Sequence, residues 1–115
     1  MNATQSSTMS WNGRLYPASS CIDGATGHDH TMCHTLGEAA PWIAIDYNTS
    51  VTVQRVEIFN RGYGFGKATR NVDIRISNKL PSSGSEMFSG GTLFGHFAGP
   101  GTDRQHIIIA GQKQL

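Results

Sequence analysis

No apolar run in these 115 residues is long enough to cross a bilayer, and the opening MNATQSSTMS lacks the apolar core of a secretion signal. Charge of one sign is missing as well. Nine Lys and Arg against eight Asp and Glu leave a formal +1, which gives no field to hold nucleic acid or an anionic membrane. Neither partner is expected. Apolar residues make up 37% and charged residues 15%, enough for one core in a single domain spanning 1–115. Linkers, charge blocks and internal repeats are absent. Helical patterning is nearly so: the one candidate, at residues 36–40, is short and Pro41 would stop it. Cysteine is scarce, and Cys21 and Cys33 leave two readings open. One is a local disulfide that ties down the loop between them; the other is two unpaired thiols.

Fourteen glycines and long Ser/Thr/Asn stretches are what fill the chain, the composition of a loop-rich β protein. A strand is expected near residues 3–7, then in PWIAIDY (41–47) and VTVQRVEIF (51–59). In the latter a phase change at Arg55–Val56 reads as a bulge or as burial on both sides. NVDIRIS alternates Val72, Ile74 and Ile76 inward with Asp73 and Arg75 outward. GTLFGHFAG and RQHIIIAG follow, the second so apolar that a central position is expected. Short strands separated by turn clusters predict an all-β, antiparallel β-sandwich. The acceptor patterns NAT at Asn2 and NTS at Asn48 lean toward an extracellular, secreted setting.

Between two of these strands lies NRGYGFGKATR, far longer than a tight hairpin needs. Loops on a rigid scaffold are where binding groups collect. Arg61, Lys67 and Arg70 are donors, and Tyr63 and Phe65 sit among glycines that let a ring lie flat. Donors beside an exposed ring suit a sugar, whose hydroxyls accept hydrogen bonds while its C–H face packs on the aromatic. The plainer alternative is a surface hairpin whose arginines pair with Asp73 or Asp46.

Across nearly the whole chain, ATQSST, IDG, CHT, EAAPWIAIDY, VQRVEIFNRG and VDIRIS occur in an order that resembles the F-type lectins, fucose-binding proteins on a discoidin-like jelly roll. The family's sugar motif is His, twenty-six residues, Arg-x-Asp, four residues, then Arg or Lys. His34 and Arg61 match in type and separation. The resemblance implies that both hydrogen-bond L-fucose. Tyr63 stands in place of the Asp and Ala68 in place of the second base, while Gly64-Phe65 replaces a pair of adjacent cysteines. Phe65 is therefore expected to supply the apolar platform, and Lys67 or Arg70 the missing base. The resemblance also continues past Leu115 into a closing strand, so the expected sandwich lacks that strand, as a fragment or as a departure with its own solution.

SSCIDGATGHDHTMCH gathers His28, Asp29, His30, Cys33 and His34, donors that suit zinc, but in a spacing that matches no usual zinc pattern. The resemblance implies a structural Ca²⁺ instead, with Asp23 on a ligand position, Ser20 where Asn is common, and Asp29 compensating for Ala25. A loop held without metal is the alternative. The expected function is binding of fucosylated glycans without chemistry, with affinity recovered through homo-oligomers or tandem domains. The rivals are a discoidin-type protein- or lipid-interaction module, a lectin-like domain with a degenerate sugar site, and an enzyme using Asp29 with the histidines, or Glu38 and Asp46 as paired carboxylates.

Overall fold

Residues 1–24, 32–78 and 91–111 are described by a computed structural model. Every strand pairing among them is antiparallel, in four two-stranded sheets, and the only helical elements among them are two 3₁₀ turns, Ala18–Cys21 and Gly66–Ala68. The chain is all-β, as the composition requires. The segment at 36–40 is not helical: it is bent and exposed, with Ala40 at a φ of 52°, because five residues before Pro41 are too few to nucleate a helix and offer no apolar stripe to bury. The described residues form two compact units, one within Met1–Ser50 and the other from Val51–Ser77 and residues 91–111.

In the first unit, β1 (Asn2–Gln5) pairs with β4 (Ile43–Asp46), with Asn2 opposite Asp46 and Gln5 opposite Ile43. The two-residue period of β4 buries Ala44 and leaves Ile43 and Ile45 largely exposed. Between them lies a small hairpin, β2 (Ser10–Trp11) and β3 (Arg14–Leu15). Its turn is Asn12-Gly13 with φ values of 52° and 78°, the positive pair that a type I′ turn demands. Tyr16 and Ala18 are buried beyond it.

In the second unit, β5 (Arg55–Phe59) pairs with β8 (His106–Ala110). Val56 faces Ile109 and Ile58 faces Ile107, so one face of this pair is aliphatic and buried while Glu57, Phe59, His106 and Ile108 lie on the other. β8 thus alternates in burial instead of being covered on both faces, and Ile108 is 57% exposed. The phase change at Arg55–Val56 marks where β5 starts, not a bulge. β6 (Val72–Ile76) pairs with β7 (Thr92–Phe97), and here the register does shift, between Ile74 and Arg75. That irregularity turns Arg75 half inward, where its guanidinium donates to the Gly91 carbonyl, and turns Ile76 outward against the expected alternation. Gly95 of β7 faces Ile109 so closely that a Cβ there would collide with its Cγ2.

Candidate functional site

The loop that leaves β5 is folded by its own polar groups. Gly62-Tyr63-Gly64-Phe65 closes as a turn, Phe65 N–H donating to Gly62 C=O at 3.2 Å, with φ values of 56° at Tyr63 and 82° at Gly64. Glycine takes that conformation freely, whereas a tyrosine there is strained. Asp103 holds it in place. Its carboxylate accepts from Gly64 N–H at 2.6 Å and Gly66 N–H at 2.9 Å, and these two amides hold its pKa below the ordinary aspartate value, with Arg104 and Arg61 adding smaller pulls in the same direction. Asn60 fastens the other side: Nδ2 donates to Gly66 C=O and Thr102 C=O, both at 2.9 Å, while Oδ1 accepts from Thr69 Oγ1 at 2.7 Å. Loop 60–69 is thereby zipped to loop 98–105, with Gly66 pressed on the backbone of Thr102 and Asp103.

Onto that frame come the expected binding groups. The Arg61 guanidinium lies over the Phe65 ring, 4.4 Å from its centroid, and its Nε–H is buried with no acceptor among the described residues. Arg61 covers part of Phe65, which is still 54% exposed; that open surface and Tyr63, 76% exposed, are the apolar faces of the loop. Lys67 projects from the Gly66–Ala68 turn and Arg70 follows it, both exposed. The two aspartates of the plainer reading each have partners within their own unit. Asp73 binds His96 at 2.7 Å and Arg75 at 3.5 Å, and Asp46 accepts from Asn48 N–H at 2.9 Å. Sequence reasoning missed Asp103 and Arg104. Arg104 lies 5.7 Å from the Tyr63 ring and its N–H donates to Arg61 C=O. The signal was only general: a glycine-rich loop with several amide N–H groups needs acceptors, and nothing local names Asp103 in GTDRQ as one.

His34 belongs to the first unit, half-buried. Its backbone donates to Tyr16 C=O at 3.1 Å and accepts from Met9 N–H at 2.9 Å and Gln5 Nε2 at 3.3 Å. Nδ1 is engaged by the Thr35 carbonyl, which leaves Nε2 as the ring nitrogen open to a further partner. Nearby, Glu38 accepts from Ser6 Oγ and, at 2.8 Å, from Ser7 Oγ, which together hold its pKa below the ordinary glutamate value. A carboxylate held ionised by local donors, with Asp46 capping its own turn, does not form the acid–base pair an enzyme reading needs.

Cys21 and Cys33 are joined in a disulfide, Cα to Cα 5.3 Å. The thiolate a zinc reading needs is thereby consumed, and His28, Asp29 and His30 lie outside the described residues. Ser20 sits on the Ala18–Cys21 turn and Asp23 just beyond it, exposed. Both carry the hard oxygens that Ca²⁺ prefers, and among the described residues no three His, Cys, Asp or Glu side chains gather to hold an ion.

Comparison with known proteins places this arrangement. A model of the NedA-like, galactose-binding domain, of the F5/8 type C class, matches residues 20–97. The eel (Anguilla anguilla) fucolectin is 36% identical over 70 residues, covering 58% of this chain and 44% of its own. The Xenopus laevis pentraxin fusion protein is 28% identical over 88 residues, 74% of this chain and 21% of its own. The chain thus spans less than half the length of either curated relative. No solved structure matches it at comparable stringency. An antiparallel all-β chain, with a family model covering more than half its length, belongs to the F5/8 type C, NedA-like galactose-binding domain family.

Proposed function

We propose that this chain is a carbohydrate-binding lectin domain that takes terminal L-fucose on the loop between β5 and β6 and performs no chemistry on it. The observation that carries the reading is Arg61: a guanidinium fixed by stacking on Phe65, with a buried Nε–H lacking an acceptor, on a loop locked by Asn60 and Asp103. An orphaned buried donor costs free energy, on the order of 1–3 kcal/mol, until an acceptor reaches it. Sugar hydroxyl and ring oxygens are such acceptors. Lys67 or Arg70 adds a further donor, and the open faces of Tyr63 and Phe65 pack on sugar C–H groups. The fucolectin likeness supports fucose as the sugar. Because the donors are already ordered, little entropy is lost on binding. The single-site affinity is weak and is raised by homo-oligomers or tandem domains.

Arg61→Ala should abolish retention on a fucose matrix while circular dichroism stays native; unchanged retention removes the assignment. His34 is tested separately, since its contribution to fucose binding rests on the family resemblance: His34→Ala should lower retention. In the same reading Ser20 and Asp23, with Asp29, are side-chain ligands of a structural Ca²⁺ that stiffens its loop. A thermal midpoint that is the same in calcium and in EDTA would remove it. The rival protein- or lipid-interaction module is separated by competition, because free L-fucose should displace a glycan and leave a protein or lipid contact untouched.

A further inference from the structure

The zipped loops of the second unit concentrate charge in a chain that has almost none. Arg61, Lys67, Arg70 and Arg104 lie on segments 60–71 and 98–105, and the one carboxylate there is Asp103. The whole chain carries only +1, so outside this loop pair acidic residues are in excess. Asp103 offsets only part of that charge, attracting Arg104 and Arg61 from a distance. Both its oxygens are taken by Gly64 and Gly66 N–H, and it forms no ion pair with any of the four cations. None of the four guanidinium or ammonium groups has a carboxylate partner among the described residues. Basic side chains at this density repel one another, and folded proteins ordinarily interleave them with acids. Arg104, moreover, is held in place: its N–H binds Arg61 C=O, its side chain crosses Gly62 so closely that a Cβ there would lie 2.9 Å from Nε, and its guanidinium faces the Tyr63 ring.

We infer that this loop pair prefers an anionic glycan, one bearing a sulfate ester or a carboxylate beside the fucose that Arg61 engages. The inference rests on the fucose reading above and names its substrate class more narrowly. Neutral sugar oxygens satisfy single donors, but an anion with three or more acceptor oxygens matches guanidinium forks and repays the mutual repulsion of the cations. Position 63 carries an exposed, uncharged tyrosine, so no negative charge there opposes such a group.

The test is a matched set of immobilised glycans: one fucosylated core, the same core with a sulfate ester, the same with a terminal carboxylate sugar, and the sulfated core without fucose. Titrating the full chain at low and at high salt, the sulfated or carboxylated fucosides should bind at least tenfold more tightly than the neutral one at low salt, and that ratio should shrink toward unity at high salt. Lys67→Gln and Arg104→Gln should each lower the charged-to-neutral ratio severalfold. A ratio near one at low salt overturns the inference while neutral fucoside binding keeps the fucose reading. Binding of the sulfated core with or without fucose upholds the charge preference and overturns fucose. Equal binding to anionic lipid vesicles would overturn the glycan preference altogether.

Discussion

In the first unit the polar side chains of Gln5, Ser6 and Ser7 reach backbone and carboxylate groups 11 to 36 residues away, at Tyr16, His34, Leu36, Glu38 and Trp42. The second unit has a β5·β8 register that buries Ile107 and Ile109, its loop pair is fastened by Asn60 and Asp103, and the contacts of Asp73 with His96 and Glu57 with His106 join residues across paired strands. The difference is instructive. Two two-residue strands and an exposed β4 face give the first unit little apolar surface to bury, so a cross-link and long-range hydrogen bonds do the holding. In the second, aliphatic strands provide the scaffold, and the fastened loops can carry four cations and a strained tyrosine.

The sharpest way to break this contrast is to remove the cross-link. Cys21→Ser with Cys33→Ser frees a loop of 12-residue separation, and the chain-entropy model puts the loss at about 3 kcal/mol. The urea midpoint should fall accordingly; a fall under one third of that would mean the hydrogen bonds from Gln5 and Ser6 already hold the segment without it.

Next come the glycines, which separate the units cleanly. A Cβ at Gly66 would lie 2.5 Å from the Thr102 carbonyl carbon and 2.6 Å from Asp103 N, backbone atoms that cannot swing aside. Gly66→Ala should therefore cost about 1–3 kcal/mol and loosen the Arg61 loop, seen as a lower urea midpoint together with weaker fucose retention. Gly37 of the first unit has nothing within 4 Å, so Gly37→Ala should stay within about 0.5 kcal/mol of the parent. Ser6→Ala is a smaller effect, about 1 kcal/mol, since one hydroxyl both donates to Glu38 and accepts from Trp42 N–H.

These sites also show what a single sequence conveys. The strands could be read because a two-residue apolar period follows from strand geometry alone, and the six expected fell on β1, β4, β5, β6, β7 and β8, with β5 starting later than expected, at Arg55. The β2–β3 hairpin was written in Asn12-Gly13 but passed over among so many polar residues. The register shift at Ile74–Arg75 was not legible, because a bulge answers to the partner strand and not to the local pattern. Of the candidate site, Arg61, Tyr63, Phe65, Lys67 and Arg70 share one loop that the sequence marked by its basic and aromatic content. Asp103 meets Gly64 from 39 residues away, and no local pattern reports such a pairing. Nor could spacing tell that Arg61 would cover part of the ring meant as a platform.

The smallest expected effect tests whether the two units are fastened in the same electrostatic sense. Glu38 in the first and Asp103 in the second are both held below their ordinary carboxylate values by hydrogen bonds, from serine hydroxyls in one case and glycine amides in the other. A depressed folded pKa means that the stabilisation is fully present above the unfolded value and is lost as pH falls through the folded one. Both carboxylates should therefore leave stability flat above about pH 5 and withdraw support progressively below about pH 4. Glu38→Gln and Asp103→Asn should each give a shallower acid-side decline of the urea midpoint than the parent. Asp73, lowered chiefly by its hydrogen bond to His96, stays in both variants and keeps a residual slope. The two carboxylates differ in one further respect. Only Asp103 fastens the loop that bears Arg61, so fucose retention should weaken below about pH 4 in the parent, and Asp103→Asn should show that weakness already at neutral pH, whereas Glu38→Gln should leave neutral-pH retention as it was.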